Sequence, residues 1–142
     1  RVINMEKQNI RTVTAEQIGE LVDFISIDVA FISLDKVLPV ATNLLKDTGS
    51  LVALIKPQFE AGKENVGKGG IVRDSEIHKE VLHRILHVAY DCGLYTHGLT
   101  FSPIKGMEGN IEFLGYFKKY EEGALTIDDT LIDTVVAEAH SL

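Results

Sequence analysis

Two short apolar segments, Phe24–Asp28 and Leu51–Lys56, constrain the fold of this chain more than any other feature. Both are rich in β-branched residues and nearly continuous in apolar residues, which is the pattern of strands buried on both faces. Strands of this kind lie inside parallel sheets whose two faces are covered by helices. The other segments predicted as strands are Arg1–Met5, Leu94–Phe101 and Ile111–Lys118.

Amphipathic helical patterns alternate with these strands. They span Leu34–Lys46, Asp74–Cys92 and, approximately, Asp128–His140. The second pattern is the clearest, because its apolar residues fall on one face and Gly93 follows as a stop signal. That face consists of Ile77, Val81, Ile85, Val88 and Cys92. The alternation of strands and helices predicts an α/β fold with a mainly parallel sheet.

The composition is that of one globular domain, with 142 residues of which 45% are hydrophobic. The longest apolar run, Leu21–Leu34, contains Asp23 and Asp28 and is shorter than the ~20 residues that a membrane helix needs. The only cysteine, Cys92, has no partner for an internal disulfide, so a reducing cytoplasm is the expected compartment. A net charge of −7 argues against a nucleic-acid partner unless the basic surface lies on a part outside this chain.

Three residues are candidates for chemistry. Asp28 and Lys56 each end a predicted strand, so parallel pairing would bring both side chains to one edge of the sheet, where ligands of open α/β sheets bind. A structural ion pair at the strand ends explains them equally well. Glu112 lies within an apolar segment, where strict alternation would turn it towards solvent and its neighbours Ile111 and Phe113 inward. The pattern alone favours that solvent-exposed position.

A glycine-rich loop, Phe59–Arg73, follows the third predicted strand and contains Lys63, Lys68 and Arg73. These cations either contact RNA phosphates or are simply solvated. His83 and His87 have the i, i+4 spacing of metal ligands on a helix, but they lie opposite the apolar face and no third ligand is evident. A solvated face is therefore expected for them, and no metal is predicted.

Five strings of residues resemble the TlyA family of FtsJ-like methyltransferases, and they occur in the family's order. They are DVAFISL (28–34), KPQFE (56–60), ENVGKGGIVRD (64–74), SPIKG (102–106) and GNIEFL (109–114). The similarity extends from about Asn9 to Lys118. It implies a Rossmann-like, S-adenosylmethionine-dependent methyltransferase fold, with a mostly parallel sheet and an antiparallel last strand. The implied activity is 2′-O-methylation of ribose in ribosomal RNA.

The resemblance also implies roles for particular residues. FtsJ-like sites use a Lys-Asp-Lys-Glu tetrad, whose Asp, second Lys and Glu correspond to Asp28, Lys56 and Glu112 as catalytic residues. The first Lys of the tetrad would lie upstream of this chain. Asn9, Asp28 and Val29 are the expected contacts of S-adenosylmethionine, and the lysines and arginine of the glycine-rich loop are the expected contacts of RNA.

Several parts of the family pattern have no counterpart in these 142 residues: the glycine-rich cofactor motif, the first strands of the sheet and an S4-like RNA-binding domain. The chain is therefore expected to be part of a methyltransferase domain, inactive and a weak binder of the cofactor by itself. The alternatives are a membrane-active haemolysin, as the family label suggests, or an inert domain. The acidic polar face of the last helix argues against binding to anionic membranes.

Overall fold

The computed structural model describes residues 2–6 (backbone only), 20–67, 69–106 and 109–141. The strands are β1 (Val2–Glu6), β2 (Val22–Asp28), β3 (Leu45–Ile55), β4 (Tyr95–Phe101) and β5 (Phe113–Lys118). The helices are α1 (Leu34–Leu44), α2 (Pro57–Glu60), α3 (Ser75–Asp91) and α4 (Asp129–His140), and a short 3-10 helix spans Lys63–Asn65.

The strands form one sheet in the order β1-β2-β3-β5-β4. β1, β2 and β3 are parallel neighbours, and β5 is antiparallel to both β3 and β4, between which it lies. The predicted α/β fold, with β2 and β3 as adjacent parallel strands and the last strand antiparallel beside β3, is confirmed. The last strand is not an edge strand, because β4 covers its other side.

The element boundaries differ most from the prediction around residue 45. α1 ends at Leu44, and Leu45 is already extended and fully buried, so β3 begins six residues earlier than the predicted Leu51. The pairing register explains the difference: Val22 pairs with Leu45 but Phe24 pairs with Ser50, so the polar residues between Leu45 and Ser50 bulge out of the ladder.

The core lies between the sheet and the apolar faces of the long helices. α3 contacts both α1 and α4. Its most buried apolar residues are Val81, Leu82, Ile85, Leu86 and Ala89. The predicted stripe was therefore displaced by one residue position, since Ile77, Val88 and Cys92 are only partly buried at its margin. The buried face of α3 also includes His78, which the sequence pattern did not indicate.

The loops that could form a functional site lie at one edge of the sheet. The carboxyl ends of β2, β3 and β4 and the start of β5 meet there, as the pairs Ile55 with Phe113 and Phe101 with Phe113 show. We call this the carboxyl edge. α3 leads away from it and α4 packs antiparallel to α3, so the last helix ends near the carboxyl edge.

Candidate active site

Asp28 and Lys56 form an ion pair at the carboxyl edge. Asp28 is the last residue of β2, and Lys56 directly follows β3. The parallel pairing of these strands therefore places the two side chains side by side. The Lys56 side chain is only 15% exposed and that of Asp28 is 39% exposed, so the pair is open to a ligand mainly from the carboxylate side.

Glu112 is buried, with 7% of its surface exposed, and the solvent-exposed position that alternation favoured is wrong. The ladder of β5 starts only at Phe113, so Glu112 precedes the strand and does not follow its alternation. Gln58 Nε2 donates a 3.0 Å hydrogen bond to Glu112 Oε2, which links Glu112 to the segment that follows Lys56. Gly106 lies so close to the carboxylate that a Cβ at this position would collide with Oε2.

A second buried carboxylate, Glu60, holds the connections after β2 and β3 together. Its side chain, 2% exposed, accepts hydrogen bonds from Ser33 Oγ at 2.5 Å and from Leu34 N at 2.8 Å. Arg84 of α3 donates to Glu60 Oε1 at 2.9 Å and to its carbonyl oxygen at 2.7 Å. Burial raises the pKa of Glu60, while these donors act in the opposite direction. Glu60 belongs to the KPQFE string, but its role was not predicted because its partners are distant in sequence.

Two aromatic residues follow the members of the ion pair in sequence, and their rings contact each other. Phe31 lies three residues after Asp28 and Phe59 three residues after Lys56, and their ring centroids are 4.8 Å apart. Phe31 is 80% exposed and has a φ of 65°. That backbone conformation is unfavourable for a residue with a Cβ, and the ring itself lies largely in solvent. No sequence signal identified this aromatic pair.

Asn110 fastens the glycine-rich loop to the connection between β4 and β5. Its side-chain oxygen accepts from Val72 N at 3.0 Å, and its amide nitrogen donates to Gly70 O at 2.9 Å. Arg73 and Lys63 of this loop are exposed. The loop therefore holds Lys63 and Arg73 at the same edge as the ion pair.

The remaining predicted site residues are placed less favourably or not described. Asn9 and Lys68 lie outside the described residues. Val29 is buried, so only its backbone is available to a ligand. His83 and His87 are exposed and pair with Asp129 and Asp91 respectively. Within the part of the chain that the structure describes, no group of three or more metal-binding side chains comes together.

Comparison with known protein families identifies the family to which this chain belongs. The model of the FtsJ-like methyltransferases matches residues 1–119. The chain belongs to the FtsJ-like methyltransferase family. Solved structures of proteins described as candidate hemolysins share the fold of this chain. One from Streptococcus thermophilus has a TM-score of 0.86 and 46% identity, covering 96% of this chain and 50% of the other. One from Lactococcus lactis has a TM-score of 0.84 and 42% identity, covering 96% of this chain and 65% of the other.

Curated relatives confirm the resemblance to TlyA. The Bacillus subtilis protein YqxC, named as a candidate rRNA methyltransferase, is 46% identical over 99% of this FtsJ-like chain and 51% of its own length. The Mycobacterium tuberculosis protein named 16S/23S rRNA (cytidine-2′-O)-methyltransferase TlyA is 36% identical over 89% of this chain and 47% of its own length. Hemolysin A of Brachyspira hyodysenteriae is 40% identical over 82% of this chain and 49% of its own length. The chain thus spans about half the length of these relatives.

The hemolysin names raise the question of a membrane. Among the described residues, none of the helices combines the length and the apolar character that crossing a bilayer demands.

Proposed function

We propose that the protein containing this chain methylates the 2′-hydroxyl of a ribose in ribosomal RNA, using S-adenosylmethionine. The observation that carries the proposal is the Asp28–Lys56 ion pair, with the buried Glu112 on the adjacent connection, at the carboxyl edge of an FtsJ-like fold. The names of YqxC and TlyA support an rRNA substrate, and that of TlyA supports the 2′-oxygen as acceptor.

The residues at the end of β2 fit the cofactor. Its sulfonium and ammonium groups are cationic, and the partly exposed carboxylate of Asp28 offers them the complementary charge. The Val29 backbone, next along the chain, is the remaining contact available there, because the Val29 side chain faces the core. S-adenosylmethionine would supply an electrophilic methyl group and leave as a neutral thioether, so no metal is needed to stabilise the leaving group.

Lys56 is the proposed base. As the ribose oxygen takes the methyl group, its proton would move to Lys56 Nζ, so that the O–H bond breaks and an N–H bond forms. This requires a neutral amine, which the negative charge of Asp28 opposes and a neighbouring cation would favour. The FtsJ-like tetrad would supply such a cation as a lysine upstream of this chain. Glu112, which accepts a hydrogen bond from Gln58, would orient that upstream lysine.

The distribution of unpaired cations supports an RNA substrate at the carboxyl edge. Within the described residues, the Lys and Arg side chains that have no ion pair, hydrogen bond or aromatic-ring contact are those of Lys36, Lys63, Arg73 and Lys105. Every one lies in a connection or first helical turn at this edge. Unpaired Lys and Arg side chains can neutralise the phosphates of an RNA backbone. The net charge of −7 therefore does not argue against RNA binding at this edge.

The opposite edge of the sheet has a different character. Exposed acidic residues gather around the end of α3 and the connection from β5 to α4. They are Asp91, Glu121, Glu122, Asp128 and Asp129. RNA would be repelled from this edge, which leaves the carboxyl edge as its docking surface.

Methyl transfer from a tritiated donor to ribosomal RNA by the full-length protein tests the proposal. A 2′-O-methyl group blocks alkaline cleavage of the adjacent phosphodiester, so the label should remain in an alkali-resistant dinucleotide. Label in an alkali-sensitive mononucleotide would place the methyl group on a base and contradict the proposal.

The hemolysin names of some relatives favour a second candidate, a membrane-disrupting activity. The exposed face of α4 carries Asp129, Asp133 and Glu138, which would be repelled by anionic lipid. Release of a dye from anionic vesicles by the full-length protein would support this second function, and we expect no release.

A further inference from the structure

A small pocket of about 320 Å³ opens at the carboxyl edge beside the connection that carries Glu112. Three separate parts of the chain form its walls: the end of the glycine-rich loop, the β4–β5 connection and the last turn of α4. The lining residues are Ile71, Val72, Arg73, Lys105, Gly109, Ile111 and His140. Glu112 immediately follows the lining residue Ile111, so a ligand in this pocket would lie beside the proposed site of methyl transfer.

The described part of the pocket lining carries positive charge, from Arg73 and Lys105. Arg73 and Lys105 are exposed, have no ion-pair or hydrogen-bond partner among the described residues, and converge on the same pocket as His140. None of the described residues that line it is acidic. Like charges at one site repel one another, and an anion bound between them would remove that repulsion.

A chain of hydrogen bonds fixes the ring of His140. His78 Nε2 lies 2.9 Å from Val72 O, and a carbonyl only accepts, so this nitrogen carries a proton. Burial lowers the pKa of His78 and keeps it neutral, so its Nδ1 accepts from His140 Nε2 across 2.8 Å. Nδ1 of His140 is then left as an acceptor at the pocket wall, so the donors to a bound anion are Arg73 and Lys105. Through Val72, His78 also ties the glycine-rich loop to α4.

We infer that the pocket of Arg73, Lys105 and His140 binds a phosphodiester group of the RNA, next to the nucleotide whose ribose is methylated. The inference rests on the proposed function, and it adds the group of the substrate that is recognised and the residues that recognise it. Arginine and lysine are the usual partners of phosphate oxygens, and such contacts fix the register of a nucleic acid on the protein. Holding a neighbouring phosphate would align one 2′-hydroxyl with Lys56.

Lys105→Glu and Lys36→Glu form a matched pair of variants for the test. Both lysines are exposed and unpaired at the carboxyl edge, and both substitutions change the net charge equally, but only Lys105 lines the pocket. Binding of a fluorescein-labelled rRNA fragment to the full-length protein would be measured by anisotropy, alongside KM and kcat for methyl transfer. We expect Lys105→Glu to raise Kd and KM roughly tenfold more than Lys36→Glu, since a phosphate contact holds the RNA in place on the protein. Lys105→Arg should retain most of the affinity.

Competition by inorganic phosphate identifies the chemistry of the pocket. Phosphate should displace the RNA from the unmodified protein more effectively than chloride at equal ionic strength, and this difference should disappear in Lys105→Glu. Equal loss of RNA affinity in Lys105→Glu and Lys36→Glu would overturn the inference. This holds even if phosphate competes, because the pocket would then bind an anion other than the RNA backbone. Methyl transfer by the unmodified protein reports on the proposed function separately: transfer with equal loss in the two variants refutes the pocket alone.

Discussion

The ion pair between Lys56 and Asp28 is compatible with two roles for the lysine, a base or a fixed positive charge. Lys56→Arg separates them, because guanidinium retains the charge but does not release its proton near neutral pH. We expect Lys56→Arg and Lys56→Ala to reduce kcat equally, by roughly 10²–10⁴-fold, with little change in RNA affinity. Single-turnover methyl transfer in the full-length protein measures this. Substantial activity in the arginine variant would leave Lys56 a positioning role only.

Phe31 combines an exposed ring with a strained backbone, and two substitutions distinguish these properties. Phe31→Ala and Phe31→Gly both remove the ring that packs on Phe59, but alanine keeps the Cβ that makes a φ of 65° unfavourable. The glycine variant should therefore be more stable than the alanine variant by about 1 kcal/mol in urea unfolding. If the ring contacts RNA, both variants should lose RNA affinity equally. A more stable alanine variant would mean that Phe31 is not strained in solution.

The residues that form the site could be predicted only in part from the sequence. Asp28 and Lys56 were found because parallel strands bring their carboxyl ends to one edge. The burial of Glu112 depends on where the β5 ladder starts, which is set by pairing with β3 and β4 rather than by local alternation. Glu60 was missed because its partners Ser33 and Arg84 come from different elements, and their proximity follows only from the assembled sheet.

The elements themselves were more predictable, because each has a clear apolar period and a terminating signal. Asp74 and Asp128 cap α3 and α4 through their side chains, and both helices start within one residue of the predicted position. The early start of β3 was not predictable, since Lys46, Asp47 and Thr48 form a polar bulge that has no strand-like pattern.

His78 links two elements and gives the fold a dependence on pH. Burial lowers its pKa below the ordinary value of 6.5, an effect that the nearby His140 reinforces and that Asp74 and the bond to Val72 O oppose. A lowered pKa means that the stabilisation is present above pH 6.5 and is lost as the pH falls towards the folded-state pKa. A histidine whose pKa falls by one pH unit on folding changes the free energy of unfolding by about 1.4 kcal/mol across that range.

We therefore expect the free energy of unfolding to fall between about pH 7 and about pH 5 by more in the unmodified protein than in His78→Gln. Urea unfolding at both pH values measures the difference. An unchanged pH dependence in His78→Gln would show that His78 does not titrate in this range.

At the scale of the whole molecule, the carboxyl edge lies opposite the edge that carries Asp91, Glu121, Glu122, Asp128 and Asp129. This separation makes the acidic edge available for attaching a label or a surface. Burial raises the pKa of the Cys92 thiol, so an exposed cysteine introduced elsewhere should react first with a maleimide. A dye on Glu122→Cys should leave methyl transfer within about twofold of the unlabelled protein, because RNA is repelled from that edge. The same dye on Lys105→Cys should block it. Immobilised through residue 122, the protein would present its catalytic edge to solution, as a sensor surface or a single-molecule experiment requires.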